Sequence, residues 1–286
     1  MRCSVPPPGK SSAQHLVVLI HTLIAALVTF AAVSSASSAP AQNAACPHKD
    51  ALGTSRILEV DATTFPRVGL KSFPQTLPLN DKEVVLTFDD GPSPSTTPRV
   101  LQASAQECAH ATFFLIGRSA SEHPDLVKRI AAEGHTIGHH TWSHPSLKRI
   151  APGVAVAQID RGIAADEKAL HGIATTMPST PFFRFPGFES TPALLDLLQS
   201  RGIVVFGADF WASDWREMTP KQELDLLIKR LTVARKGIIL LHDTKARTAA
   251  MLPAFLSYLR ENDYHLVQVV PKGGQKEPVV DMTRAP

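Results

Sequence analysis

Two adjacent carboxylates, Asp89 and Asp90, directly follow an apolar run over residues 84–88 and precede a Gly-Pro turn. Like charges side by side at the end of a buried strand repel each other, and a divalent cation would keep both ionised. The structural alternative is a solvated Asp-Asp-Gly turn, because Asp-Gly is a common turn signal. The apolar run before the two residues favours a metal-binding interpretation.

Four histidines lie within residues 135–144, in the stretch HTIGHHTWSH. The first residues of this stretch have the pattern of a strand, where positions i and i+4 are about 13 Å apart, too far for one ion. His140 and His144 follow the strand, and a single helical turn ended by Pro145 would put both rings on one face. Two imidazoles and one carboxylate with an open position are typical of a catalytic metal site. The sequence therefore predicts His140, His144 and one of the two aspartates as ligands.

Reactive residues also follow other apolar runs of the chain. His242 comes after residues 237–241 and is a candidate general acid near neutral pH. Arg184 is predicted to hold a carboxylate by a two-pronged hydrogen bond, and the backbone N–H at Gly187 to face an oxyanion. Asp214 and Trp215 are predicted to orient His242 and to form an apolar wall. The alternatives are a surface arginine and a core tryptophan beside a surface aspartate.

Short apolar runs and helical patterns alternate along the chain and must position these residues. We predict strands over residues 84–88, 111–116, 135–138, 182–184, 203–206, 237–241 and 264–270. We predict helices over 98–107, 124–133, 152–170, 192–201, 220–234 and 253–261, the first with Thr97 as N-cap and Pro98 as its first residue. This alternation predicts a parallel α/β domain of about seven strands, a barrel or near-barrel, with an open sheet as the alternative. In such folds the chemistry lies at the carboxyl ends of the strands, where the reactive residues fall.

The ends of the chain differ from this pattern. Residues 1–41 have a charged start, an apolar run over 16–33 and an Ala-Pro-Ala end, which predicts a signal peptide and export. The apolar run approaches the length of a membrane span, so an uncleaved anchor is the alternative. We expect residues 42–80 to be a lead-in with little regular structure and residues 272–286 to be a loose tail.

Composition and cysteine content limit the partners. The 286 residues are 44% hydrophobic and 19% charged, with a net charge of +3 and no Lys/Arg block, so nothing favours a nucleic-acid partner. An exported chain would keep Cys46 and Cys108, either as a disulfide or as two buried thiols.

Five short motifs, in order, resemble those of the polysaccharide deacetylases with a NodB homology domain, carbohydrate esterase family 4. They are TFDDGP at 87–92, HTWSH at 140–144, RFPG at 184–187, SDW at 213–215 and LLHD at 240–243. The resemblance covers about residues 82 to 270. It implies a single domain over 81–271 with a deformed (β/α) barrel that removes N-acetyl groups with the help of a metal ion.

The resemblance also implies roles for particular residues. Asp89 corresponds to the general base and Arg184 orients it. Asp90, His140 and His144 correspond to the ligands of one divalent ion, zinc by expectation, with cobalt or another divalent ion as alternatives. The division of roles between the two aspartates comes from the resemblance, because spacing alone leaves it open.

The remaining implied roles concern the acid and the substrate pocket. His242 corresponds to the general acid, supported by Asp214, and the Gly187 N–H helps to hold the oxyanion. Trp215 and Leu240 correspond to the lining of the acetyl pocket.

The chain departs from the family pattern at three places. Gly187 stands where an aromatic residue is usual, with Phe188 as its candidate replacement. Asp209 and Asp214 are two residues further apart than in the usual D-x-x-D-W motif, and His139 stands where Asn is common. These departures leave the acid, base and metal groups in place and bear on substrate preference.

The expected reaction is hydrolysis of the acetamido group of a GlcNAc-containing glycan, peptidoglycan-like or chitin-like, with release of acetate. We expect an exported monomer, in the periplasm, at the cell wall or secreted. The alternatives are an O-acetyl esterase or cyclic amide hydrolase that uses the same site, or a glycan-binding module without catalysis.

Overall fold

The computed structural model describes residues 46–47 and 49–273. The predicted signal peptide over 1–41 lies outside these residues, as does all of the predicted tail except Lys272 and Gly273. No helix in the described ranges is long and apolar enough to cross a membrane.

The described residues form a parallel sheet of ten strands. The strands are β1 Thr54–Val60, β2 Arg67–Val68, β3 Glu83–Asp89, β4 Thr112–Leu115, β5 Thr136–His139, β6 Phe182–Phe183, β7 Val204–Phe206, β8 Phe210–Trp211, β9 Gly237–His242 and β10 His265–Pro271. Their order is β1-β10-β3-β4-β5-β6-β7-β2, and β9 pairs with both β3 and β8. The path from β8 through β9 and β3 to β7 is the core of a deformed (β/α) barrel, and it includes six of the seven strands predicted from the sequence.

Helices connect most of these strands. They are α1 Thr97–Gln106, α2 Gly117–Glu122, α3 Pro124–Ala132, α4 Pro152–His171, α5 Pro192–Ser200, α6 Pro220–Ala234 and α7 Ala246–Glu261, with 3-10 turns at Leu147–Arg149 and Pro186–Phe188. Four helices begin at a proline, whose fixed φ suits the first helical position and whose missing N–H costs nothing there. At α6 a capping box between Thr219 and Gln222 adds to this signal.

Strand β3 is buried along its whole length, which explains its continuous apolar run. Its Phe88 stacks on Phe113 of β4 with ring centroids 5.1 Å apart. The strand ends at Asp89, of which only 3% is exposed. The hydrophobic core thus carries the first of the two aspartates to the carboxyl edge of the sheet.

The expectation of little regular structure over residues 42–80 is wrong for β1. This strand pairs with β10, with Leu58 opposite Val269. Its residues alternate between exposed and partly buried positions, and Ile57 remains 62% exposed. An edge strand with one face in solvent lacks the continuous apolar run by which the central strands are recognised. A disulfide joins Cys46 to Cys108 at the end of α1 and attaches this N-terminal part to the domain.

Two predictions about helices are also wrong. Helix α7 begins at Ala246 rather than at 253, and Pro253 lies inside it. The buried apolar face of that helix, which includes Leu252 and Phe255, stabilises it despite the proline. Thr97 is not a capping residue: Thr96 holds the N-cap position of α1, and the Thr97 hydroxyl donates to Asp243 instead.

Candidate active site

The carboxyl ends of four strands bring the predicted residues to one edge of the sheet. Asp89 ends β3 and His242 ends β9, and the two are register partners on these paired strands. His140 follows the last residue of β5, and Arg184 follows the last residue of β6. Parallel pairing makes this convergence a direct consequence of the fold.

A cavity of about 450 Å³ opens at this edge. Eight of the ten predicted site residues line it, and the other two, Arg184 and Asp214, are fully buried. The complete lining is Asp89, Asp90, His140, His144, Phe185, Gly187, Phe188, Trp211, Trp215, Leu240, His242 and Lys245.

Asp90, His140 and His144 form a group that can hold a metal ion, with one ligand atom from each residue within 4.8 Å of the others. Asp90 Oδ1 lies 3.7 Å from His140 Nε2 and 3.4 Å from His144 Nε2. This oxygen is buried and has no hydrogen-bond partner, which a bound cation would supply. The donor set, one carboxylate and two imidazoles, fits a catalytic divalent ion.

His140 is prepared for this role by its surroundings. Its Nδ1 lies 2.7 Å from the backbone carbonyl oxygen of Arg184, so the ring turns Nε2 toward Asp90. Burial lowers the pKa of His140 to about 3, although the charge of Asp90 opposes the change. The imidazole is therefore neutral at physiological pH, and the neutral form is the one that binds metals.

The spacing predicted that His140 and His144 lie on one helical turn, and this prediction is wrong. Residues 140–144 form an irregular loop in which Thr141 and His144 have φ values of 68° and 59°. The Thr141 hydroxyl accepts the His144 N–H at 3.0 Å and closes the loop. The two rings lie 4.9 Å apart between centroids, so tertiary contacts rather than helical geometry bring them together.

Asp89 and Arg184 form a buried ion pair. Arg184 Nη1 donates to Asp89 Oδ1 at 2.7 Å and also to Thr87, while its other nitrogens donate to the backbone carbonyls of Phe206 and Gly207. The contact with Asp89 is therefore single and not the predicted two-pronged one. Burial raises the pKa of Asp89, and the charges of Arg184 and His242 oppose that rise.

His242 and Asp214 form the matching pair with opposite charges. His242 Nδ1 lies 2.8 Å from Asp214 Oδ1, and the backbone N–H of His242 donates to Asp214 Oδ2 at 2.7 Å. Burial lowers the pKa of His242, but the hydrogen bond and charge of Asp214, with the charges of Asp89 and Asp90, outweigh it and raise the pKa to about 9. The imidazole can therefore carry a proton at neutral pH.

Aromatic rings and a tight turn form the rest of the cavity. Trp215 is 46% exposed, and its ring meets that of His242 edge to face at 6.0 Å. Gly187 lies in the 3-10 turn after Arg184 with a φ of 57°. Phe188 stacks on Trp211 with centroids 6.0 Å apart, so an aromatic side chain is present beside the position where Gly187 lacks one.

The other two departures from the family pattern, at Asp209 and at His139, have structural explanations. Asp209 accepts hydrogen bonds from Leu70, Thr76 and Ile238, so it ties the loop after β2 to β9. His139 is buried, and its Nδ1 lies 2.7 Å from Asp166 of α4. Neither residue lines the cavity that holds Asp89 and His242.

Sequence reasoning missed three residues of the cavity, Phe185, Trp211 and Lys245. Trp211 could have been found, because it precedes Trp215 by four residues in the stretch FWASDW. A neighbouring cavity of about 480 Å³ shares Trp211, but the one carboxylate in its lining, Asp209, is already held by backbone N–H groups and a hydroxyl.

A family model described as polysaccharide deacetylase matches residues 76–206. The chain is 34% identical over 217 residues to a peptidoglycan-N-acetylglucosamine deacetylase of Bacillus cereus, covering 71% of this chain and 76% of the relative. It is 30% identical over 198 residues to the peptidoglycan-N-acetylmuramic acid deacetylase PdaC of Bacillus subtilis. That match covers 68% of this chain and 39% of PdaC, so the chain spans about two fifths of that relative's length.

A solved structure has the same fold. The peptidoglycan deacetylase of Bdellovibrio bacteriovorus superposes with a TM-score of 0.66 at 28% identity, over 77% of this chain and 60% of that one.

Proposed function

Because this chain belongs to the polysaccharide deacetylase family, we propose that it is a metal-dependent hydrolase that removes N-acetyl groups from a GlcNAc-containing glycan. One observation carries the proposal. A buried carboxylate, Asp89, a protonatable imidazole, His242, and the metal-binding group Asp90, His140 and His144 all line one cavity. A general base, a general acid and a Lewis-acid site are the parts that amide hydrolysis needs.

Asp90, His140 and His144 would hold the ion, in agreement with the unpartnered oxygen of Asp90. When bound, a divalent ion supplies Lewis-acid polarisation of the acetyl carbonyl. Zinc is the first expectation from the donor set, and cobalt or another divalent ion is the alternative.

Asp89 acts as the general base. It takes a proton from the water whose oxygen attacks the carbonyl carbon of the acetamido group. The hydrogen bond from Arg184 orients the carboxylate, and the guanidinium charge favours the ionised form that accepts the proton.

His242 acts as the general acid. Its Nδ1 is engaged by Asp214, so Nε2, which lies 3.9 Å from Asp90 Oδ2, is the atom that gives its proton to the departing nitrogen. The carbon–nitrogen bond breaks, and the products are acetate and a free amine on the sugar. The backbone N–H at Gly187 stabilises the oxyanion formed between attack and departure.

The lining of the cavity suits a sugar that carries an acetyl group. Leu240 and Trp215 provide an apolar surface for the methyl group, and Phe188 and Trp211 offer aromatic faces to a pyranose ring. The relatives in Bacillus are named as peptidoglycan deacetylases, and we propose the same substrate class for this chain.

We further propose that the protein acts outside the cytoplasm, as a monomer. The Cys46–Cys108 disulfide supports export, because disulfides persist in oxidising compartments. The signal peptide predicted over residues 1–41 agrees with it, and an uncleaved leader would leave the domain anchored to the membrane.

Acetate release from a panel of chitooligosaccharide, peptidoglycan and acetylated xylan, with and without a chelator, tests the function. We expect release from an N-acetylated glycan, loss of activity with chelator and recovery with added zinc or cobalt. Release from xylan alone would indicate an O-acetyl esterase. Binding of these glycans without release, by protein shown to contain metal, would indicate a non-catalytic binding module.

A further inference from the structure

A chain of buried polar groups continues behind His242 and Asp214. Thr248 of α7 places its Oγ1 2.9 Å from Asp214 Oδ2 and also 2.9 Å from Glu223 Oε1 on α6. Asp214, Thr248 and Glu223 are each 0% exposed. Glu223 does not line the cavity, and the proposed reaction gives it no role.

Counting protons restricts how these groups can bond. A threonine hydroxyl has one hydrogen, so Thr248 can donate to only one of the two carboxyl groups beside it. The other carboxyl oxygen would face a hydroxyl lone pair at 2.9 Å unless it brings a proton of its own. Asp214 already accepts two N–H bonds from His242, one on each oxygen, so it is the acceptor in this chain. The second proton must therefore be on Glu223.

We propose that Glu223 is a neutral carboxylic acid that donates a hydrogen bond to Thr248, whose hydroxyl donates in turn to Asp214. In this arrangement Glu223 is a positioning residue. It fixes the direction of the Thr248 hydroxyl. That hydroxyl holds Asp214 in the orientation in which it accepts a hydrogen bond from the Nδ1–H of His242. The functional part of this inference rests on the proposed acid role of His242.

The surroundings of Glu223 favour the neutral form. Its second oxygen, Oε2, is buried without a hydrogen-bond partner, a costly position for half of an ionised carboxylate. Burial raises the pKa of Glu223 to about 7 and the charge of Asp214 adds to the rise, while the Thr248 hydrogen bond and the charges of Arg247 and His242 oppose it. A hydroxyl turned toward Asp214 no longer stabilises the ionised form, which favours the proton on Glu223 further.

The protonation state can be measured without substrate. In protein labelled with 13C at the glutamate side-chain carboxyl, the signal that disappears in Glu223→Gln identifies this residue. We expect that signal to titrate at about pH 7 or above. Titration near pH 4.3, the ordinary value for glutamate, would overturn the proposal whatever the protein's activity.

Two matched pairs of variants test the positioning role. Glu223→Gln keeps a neutral donor and Thr248→Ser keeps the hydroxyl, so we expect both to retain most of the kcat. Glu223→Leu and Thr248→Val remove these groups, and we expect kcat to fall about tenfold with KM unchanged, the effect of one lost hydrogen bond to a charged group. Thermal unfolding establishes that each variant is folded.

The outcomes separate this inference from the proposed function. Equal kcat in Thr248→Val and Thr248→Ser, both folded, would overturn the positioning role, and the threonine pair decides even if Glu223→Leu does not fold. A wild-type protein that releases no acetate from any glycan would instead contradict the proposed function. The carboxyl titration would then still decide whether Glu223 is neutral.

Discussion

The Asp89–Arg184 pair and the Asp214–His242 pair have the same arrangement with the charges reversed. In the first, the buried Arg184 guanidinium holds the Asp89 carboxylate at 2.7 Å, and in the second the buried Asp214 carboxylate holds the His242 imidazole at 2.8 Å. In each pair the reactive group lines the cavity and its partner is fully buried. A buried countercharge beside each group thus suits Asp89 to the proposed role of proton acceptor and His242 to the proposed role of proton donor.

The difference between the pairs lies in what supports the partner. Arg184 donates hydrogen bonds to Asp89, Thr87 and two backbone carbonyls. All of these acceptors lie on strands of the sheet or directly after them. Asp214 accepts the backbone N–H of His242 on β9, and its other support comes from Thr248 and, through it, from Glu223, which belong to two helices outside the sheet. Asp89, the proposed base, is therefore supported by the sheet alone, whereas His242, the proposed acid, has a partner that is supported by both the sheet and the packing of two helices.

The largest effect is expected from removing the base. Asp89→Asn keeps the size and burial of the side chain but cannot take a proton, so we expect kcat to fall by about 10³-fold or more. Metal content, measured by elemental analysis, should be unchanged because the ligands are other residues. The control is Asp125→Asn on the exposed surface of α3, expected to be fully active. Full activity of Asp89→Asn would show that this pair does not supply the base.

Removing the buried cation tests the Asp89–Arg184 pair as a structural unit. Arg184→Met leaves Asp89 buried without its partner, and we expect the free energy of unfolding to fall by about 3–5 kcal/mol. Denaturant unfolding measures it. Arg201→Met, which breaks the partly exposed pair with Asp160, is the matched control and should cost about 1 kcal/mol or less. Similar losses in both variants would argue against a special role for burial.

The Asp214–His242 pair predicts a change in pH dependence. The pKa of His242 is raised from its ordinary 6.5 to about 9, so the acid stays protonated up to that pH. Asp214→Asn removes the negative charge, and the pKa must fall. We expect a kcat lower by about 10²-fold and an alkaline limb of the kcat profile that moves to lower pH. Asp225→Asn on α6 is the control, and an unmoved limb would contradict the pairing.

The smallest effect is expected at the aromatic wall, which belongs to neither pair. Trp215→Ala removes a half-exposed ring beside His242, and we expect KM to rise about fivefold with a smaller change in kcat, as for the loss of one aromatic contact. Steady-state kinetics on chitooligosaccharide measure it, with exposed Val233→Ala as the control. A loss confined to kcat would show that Trp215 acts through the acid instead.

The reactive residues could be found from the sequence because each one directly follows an apolar run or lies in a family motif. Asp89 after 84–88 and His242 after 237–241 are the clearest cases, and parallel strands bring such ends together without further information. Strand β1 was missed because an edge strand has no such run, and Trp211 was missed because its strand, β8, is only two residues long and has no apolar run of its own.

The sequence by itself determined the order of the central strands, β3 to β7 and β9, the residues at the carboxyl edge and, through the family motifs, the expected division between Asp89 and Asp90. These features follow from hydrophobic patterns and short motifs, and both can be recognised from residues that are close together in the sequence. Only the tertiary structure decided how His140 meets His144, how many bonds Arg184 gives to Asp89, and that Glu223 stands behind Asp214. The first depends on positive φ angles in a loop. The last depends on the packing of α6 against α7, because the Thr248 hydroxyl contacts both Glu223, 25 positions earlier in the chain, and Asp214, 34 positions earlier. No local pattern encodes such contacts, because their energy comes from burial that exists only once the domain has folded.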